Sequence, residues 1–84
     1  MAVDSAGMHA ARILVARALS VSEDQIVPEA AMYKLSAWDS FGQLIVVLAI
    51  EEEVGARIDD EATFNRLTSV EGIAAYLAAV TARS

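Results

Sequence analysis

Residues 35–55 read LSAWDSFGQLIVVLAIEEEVG, and the fold class depends on whether the apolar run at 44–50 forms a helix or a strand. Its β-branched residues suit a buried strand, and a short apolar run does not distinguish the two structures by periodicity. Length favours the helix, because the pattern continues to Val54 and ends at Gly55, a residue typical of helix ends. We therefore predict a helix from Ser40 to Val54, about 22 Å long.

Helical patterns also flank this stretch. Apolar residues recur at helical spacing from Met8 to Leu19, with Arg12 and Arg17 expected to face solvent. A short helical turn is expected from Asp60 to Phe64. A last helix follows, with apolar residues at core spacing: Val70, Ile73, Ala74, Leu77 and Val80. Two capping boxes are predicted, one from Ser22 to Gln25 and one from Thr68 to Glu71.

Between the first two long helices, Pro28 keeps the chain irregular, and Ile26, Met32 and Leu35 are expected to pin the loop to the core. The composition agrees with close-packed helices, since 56% of the residues are hydrophobic and only 6% are aromatic. The predicted fold is all-α: a four-helix bundle of three longer helices and one short one, with a long loop between helices 1 and 2. A single domain spans residues 1–84.

Size and charge exclude several functions. A domain of 84 residues is too small to enclose an active-site cleft of its own, so catalysis is not expected. The net charge of -6 repels phosphate backbones, which argues against nucleic acid as a partner. With no cysteine, the chain has no thiol nucleophile or thiolate zinc site. No run is long enough for a transmembrane helix, so we expect a cytoplasmic protein without a membrane partner.

Asp39 and Ser40 are the candidate site residues, and two interpretations apply to them. In the first they are structural, because Asp is a preferred N-cap and Ser is common in the first turn. In the second, the Ser40 hydroxyl carries a phosphodiester, which a helix N-terminus stabilises through its free N–H groups and dipole. The Asp39 carboxylate could then help to hold a divalent cation during phosphate transfer.

The order and spacing of these motifs resemble the acyl carrier protein family, whose motif is usually Asp-Ser-Leu. The resemblance runs from about Val15 to Leu77 and rests on Leu19, Val21, Ile26, Leu35, Trp38–Phe41, Glu51–Gly55, Ile58–Asp60, Thr68, Val70, Tyr76 and Leu77. It implies that a phosphopantetheinyl transferase moves 4'-phosphopantetheine from coenzyme A onto Ser40. The thiol of this arm would carry acyl, peptidyl or aminoacyl cargo as thioesters.

The partners implied are acyl-, aminoacyl- or ketosynthase-type enzymes that load and unload the arm, in fatty acid, polyketide or nonribosomal peptide biosynthesis. The protein would be a monomeric carrier and not an enzyme. Phe41 departs from the usual Leu, and Gly42 and Ile45 stand where fatty-acid carriers often have acidic residues. We therefore expect a specialised pathway rather than bulk fatty-acid synthesis.

The predicted second helix has two apolar stripes. One contains Val46, Ile50 and Val54, and the other contains Phe41, Leu44, Ile45 and Leu48. One stripe can face the core, and the other would then be an exposed partner-binding surface. The alternative is that the bundle and the loop bury both stripes.

The remaining candidates favour structural roles. Trp38 is expected to anchor the loop in the core, although it could instead shield the base of the arm. His9 has no second imidazole or carboxylate at ligand spacing, so we expect a surface position and no metal site. The acids at 51–53 and 59–61 lack the alternating pattern of a calcium loop and are expected to form a solvated surface.

Two other functions compete with the carrier interpretation. A small helical adaptor would use the stripe from Phe41 to Leu48 to bind a partner and would never carry a prosthetic group. An independent hydrolase using Ser40 is a poor fit, because the chain supplies no convincing base and orienting acid for it.

Overall fold

The structure, a computed structural model that describes residues 5–83, contains four α-helices. They are α1 (Ser5–Leu19), α2 (Ser40–Val54), α3 (Glu61–Arg66) and α4 (Val70–Arg83), and one 3-10 turn lies at Glu23–Gln25. No strand occurs within residues 5–83. The all-α prediction and the division into three longer helices and one short one are therefore confirmed.

The α2 helix has the predicted bounds. It begins after Asp39, whose side chain accepts a hydrogen bond from the Gly42 N–H, and it ends at Gly55. Gly55 has a φ of 71°, a left-handed conformation that glycine adopts without a Cβ clash. These two local signals set the ends of the helix, and its buried residues Val46, Val47 and Ile50 fix it on the core.

The α1 helix packs against both α2 and α4. Ala11 and Val15 are fully buried on its inner face, as the helical spacing predicts. Arg12 was expected to face solvent, and this is wrong. Arg12 is half-buried, and its guanidinium donates hydrogen bonds to the carbonyl oxygens of Ile26 and Glu23, which hold the following segment against α1.

Residues 20–39 connect α1 to α2 and contain the 3-10 turn. Ile26 is fully buried, and Met32 and Leu35 pack against the core, as predicted. The capping box from Ser22 to Gln25 is absent: Ser22 makes no side-chain cap, and its backbone carbonyl accepts the Gln25 N–H at 3.0 Å. The turn is too short for the reciprocal side-chain bonds of a true helix start.

An isolated antiparallel bridge joins this connecting segment to the start of α4. It pairs Ala31 with Ser69 through two hydrogen bonds. The Met32 N–H donates to the Thr68 carbonyl at 2.8 Å, and the Val70 N–H donates to the Ala30 carbonyl at 3.0 Å. The segment before α2 is therefore fixed by its own core residues and by the α3–α4 junction.

The predicted cap of α4 is displaced by one residue. The Ser69 hydroxyl accepts the Gly72 N–H at 3.0 Å, whereas the Thr68 hydroxyl donates to the Asn65 carbonyl at the end of α3. Glu71 is exposed. The bridge between Ala31 and Ser69 sets the position at which the chain enters α4, so Ser69 rather than Thr68 lies at the capping position.

The short α3 helix confirms the predicted turn and extends it to Arg66. Asp60 is its N-cap and accepts the Thr63 N–H at 2.8 Å. Hydrogen bonds from Thr63, first from its side chain and then from its backbone, lower the pKa of Asp60 below 3.8. A lowered folded-state pKa stabilises the fold above the unfolded value, and this contribution is lost as the pH falls through the folded value.

None of the helices described within residues 5–83 combines the length and apolar character that a membrane crossing requires.

Candidate functional site

The start of α2 brings the predicted site residues Asp39 and Ser40 together at the surface. Asp39 is the N-cap, and its Oδ1 lies 2.9 Å from the Gly42 nitrogen. Asp39 therefore has the capping role of the structural interpretation, and Ser40 is the first residue of the helix with an exposed side chain, a position that fits both interpretations. The first N–H groups of a helix have no carbonyl partner within it, and at the start of α2 this applies to those of Ser40 and Phe41.

Among the residues that the structure describes, the Ser40 hydroxyl has one side-chain partner, which the sequence did not predict. The phenol of Tyr33 hydrogen-bonds to Ser40 Oγ, and either oxygen can be the donor. Tyr33 lies in the connecting segment, seven residues before Ser40. No local spacing rule predicts this contact, because it depends on how the segment folds back toward α2.

Trp38 anchors the segment before α2 in the core, as predicted. Its side chain is fully buried, and its Nε1–H donates to Gln43 Oε1 at 2.6 Å. Gln43 is itself 1% exposed and donates to the Leu67 carbonyl at 2.9 Å. Trp38 therefore lies in the core rather than over the base of an arm, and one glutamine joins the residue before Asp39 to the end of α3.

The buried role of Gln43 was not predicted from the sequence. A signal was present, since Gln43, Val46 and Ile50 follow at i, i+3 and i+7 and therefore share one helix face. Because that face is the buried one, a polar residue on it needs buried partners. The Trp38 indole and the Leu67 carbonyl are those partners.

Gly42 occupies a place where a side chain does not fit. A Cβ at this position would lie 2.4 Å from the Ala37 carbonyl oxygen and 3.0 Å from a methyl carbon of Leu19. The first turn of α2 therefore packs directly on the preceding backbone. These contacts explain why residue 42 is a glycine.

The second apolar stripe of α2 is largely exposed. Phe41, Leu44 and Leu48 are 71%, 53% and 62% exposed, and their i, i+3, i+7 spacing places them on one face. We call these three residues the α2 stripe. Ile45 was assigned to the same stripe but is half-buried at its margin. The alternative in which both stripes are buried is therefore wrong.

His9 and the acidic residues have structural surroundings. His9 is exposed as expected, but its Nδ1 lies 3.8 Å from Glu23 Oε1, a contact that the sequence did not predict. The Glu51 carboxylate accepts a hydrogen bond from the Ile58 N–H at 2.7 Å. One acid of the 51–53 run therefore stabilises the segment that follows α2. Within residues 5–83, no group of three or more potential ligands is arranged to hold a metal ion.

An open cavity of about 820 Å³ lies between α1, α2 and α4. Apolar side chains from the three helices line it together with the charged residues Arg17, Glu52 and Glu53. The α2 residues that line it lie at positions 49 and 52–54, so it begins nine residues beyond Ser40, or about 14 Å along the helix axis. The cavity and the exposed serine are therefore at opposite ends of α2.

No protein-family model matches the chain, and no significant match is found among curated proteins. The choice between functions therefore depends on the contacts at the start of α2 and on the α2 stripe.

Proposed function

We propose that this protein is an acyl, peptidyl or aminoacyl carrier that is modified with 4'-phosphopantetheine on Ser40. The observation that carries the proposal is the exposed Ser40 hydroxyl at the start of a fifteen-residue helix, next to the capping carboxylate of Asp39. Under this proposal the four helices form the bundle of a carrier protein, residues 20–39 form its long loop, and the protein is a cytoplasmic monomer.

The residues at this end of α2 have the chemistry that such a group needs. Ser40 supplies a nucleophilic hydroxyl that a transferase can reach, because no core residue covers it. Asp39 uses Oδ1 in the cap, and its second oxygen can still bind a cation that neutralises phosphate charge. The free N–H groups at the helix start favour a phosphodiester anion. When bound, the group supplies a thiol that holds cargo as a thioester.

The α2 stripe supports a role in docking partner enzymes next to the modified serine. Three large apolar side chains remain exposed on the helix that begins with Ser40. Burying such side chains against a partner yields a favourable hydrophobic free energy. We assign docking of the transferase and of the loading and unloading enzymes to Phe41, Leu44 and Leu48, with Ile45 at the margin.

The same stripe favours the adaptor as a second candidate. An adaptor needs only the exposed apolar face and makes no use of the serine. The two functions differ in one measurable property, because only the carrier gains the mass of phosphopantetheine.

The test is the intact mass after incubation with coenzyme A, magnesium and a broad-specificity transferase. We expect one phosphopantetheine per chain in the wild type and none in Ser40→Ala, which should remain folded because residue 40 is exposed. Ser36→Ala is the matched control: Ser36 is also exposed near the start of α2, so this variant should load normally. An unmodified wild type beside a control carrier that is modified would exclude the carrier function and leave the adaptor.

A further inference from the structure

Tyr33 has a backbone conformation that large side chains rarely adopt. Its φ is 72°, in the left-handed region, where a bulky residue with a Cβ is an outlier. Such conformations persist only where surrounding contacts impose them, and they are concentrated at functional sites. The backbone conformation of Tyr33 is therefore imposed by its surroundings and marks a candidate functional position.

Backbone hydrogen bonds on both sides impose it. The Tyr33 N–H donates to the Trp38 carbonyl at 2.6 Å. Before it, the Met32 N–H is bound to Thr68, and after it, the Lys34 N–H closes a turn on Ala31 at 3.0 Å. Because Trp38 is fully buried, the position of Tyr33 is fixed relative to the core.

Hydrophobic burial does not explain the position of the Tyr33 side chain, since Tyr33 is 67% exposed. Within residues 5–83 its phenol makes one hydrogen bond, and that bond is with Ser40 Oγ. The anchored backbone of this loop therefore holds the Tyr33 phenol against the exposed Ser40 hydroxyl at the start of α2.

We propose that Tyr33 is a positioning residue for the modification of Ser40, an inference that rests on the proposed function. The phenol donates to Ser40 Oγ, so the serine proton is free to point toward a base of the transferase. In the transfer, Oγ forms a bond to the phosphorus of the pantetheine phosphate. The bond from that phosphorus to adenosine 3',5'-bisphosphate breaks, this group leaves with the electron pair, and the serine proton passes to the transferase base.

Tyr33 keeps its own proton throughout. Once Oγ is an ester oxygen it has no hydrogen and can only accept, so the phenol remains a matched donor to it and to the adjacent charged phosphate oxygens. The Tyr33–Ser40 hydrogen bond strengthens as negative charge develops in the transition state. It therefore accelerates phosphate transfer and does not change how tightly the transferase binds the carrier.

The test compares Tyr33→Phe with wild type and with Tyr76→Phe, a matched control that removes the other phenol of the chain from α4. Loading rates by intact mass, measured over a range of carrier concentration, should give kcat about tenfold lower for Tyr33→Phe with KM unchanged, the size expected for one hydrogen bond to a developing charge. Tyr76→Phe should load like wild type. After complete loading, the phosphorus NMR resonance of the phosphodiester should be displaced in Tyr33→Phe alone.

A second variant separates the phenol from the backbone. Tyr33→Gly adopts a positive φ without strain and should load as slowly as Tyr33→Phe. Normal kcat and an unmoved phosphorus resonance in Tyr33→Phe would overturn the proposal, as would slow loading in Tyr33→Gly alone. In either case the wild type is still modified, so the proposed function stands. A wild type that gains no mass would exclude both.

Discussion

At the scale of single residues, Gln43 is the polar residue on which the interior depends most. Its side chain accepts from the Trp38 indole at 2.6 Å and donates to the Leu67 carbonyl at 2.9 Å. Both partner residues are buried, so neither partner group can form a replacement hydrogen bond with water if the amide is removed. An unsatisfied buried group costs more than the hydrogen bond contributes when it is formed.

We therefore expect Gln43→Leu to lower the free energy of unfolding by about 2–4 kcal/mol, because it leaves one buried donor and one buried acceptor unpaired. Urea unfolding followed by the fluorescence of Trp38, the sole tryptophan, measures this change. Gln25→Leu is the matched control in the exposed 3-10 turn and should stay within about 0.5 kcal/mol of wild type. Equal stability of the two variants would mean that the core supplies other partners.

At the scale of secondary-structure elements, α2 has a buried face and an exposed face that are both apolar. Glu at position 44 would remain in water, whereas Glu at position 47 would place a charge among core side chains. We expect Leu44→Glu to change the free energy of unfolding by no more than about 0.5 kcal/mol. Val47→Glu should lower it by about 3 kcal/mol or more. Ile45→Glu should fall between them, since Ile45 is half-buried, and urea unfolding ranks the three.

The same variants test docking. If the protein is a carrier as proposed, Leu44→Glu should slow cargo transfer to a partner enzyme, because the new charge must lose water in the complex without a counter-charge. Ala78→Glu is the matched control, since it adds the same charge at an exposed position on α4. Equal transfer rates in the two variants would show that the α2 stripe is not the docking face.

The elements differ in how far the sequence determines them. The bounds of α2 were predictable because Asp39 and Gly55 are local signals at its two ends. The cap of α4 was misplaced by one residue because Thr68 and Ser69 are both capping types, and the choice between them depends on the distant bridge to Ala31. The contact of Tyr33 with Ser40 was not predictable, since non-local bonds to Thr68 and Trp38 set the path of the loop.

At the scale of the whole molecule, charge opposes folding more than it supports it. The net charge is -6, and eight of the twelve acidic residues lie from Asp39 onward. Among the residues described, no Arg or Lys side chain pairs with a carboxylate, and the one contact of this kind places His9 Nδ1 3.8 Å from Glu23 Oε1, with both side chains exposed. Exposed pairs contribute little, so most of the negative charge is not compensated by pairing.

We therefore expect the melting temperature to rise from a few millimolar salt to about 0.15 M ionic strength, because screening weakens repulsion between like charges. Glu53→Gln should raise the melting temperature at low salt, and the gain should fade as salt is added, since Glu53 is exposed beside two other glutamates. No group of three or more potential ligands among residues 5–83 is arranged to hold a metal ion, so we expect magnesium to stabilise the fold only by screening these charges. Thermal unfolding in magnesium chloride and sodium chloride at equal ionic strength should then give the same midpoint. A higher midpoint in magnesium would reveal a cation site, and the acids at 51–53 and 59–61 would be the first residues to replace in locating it.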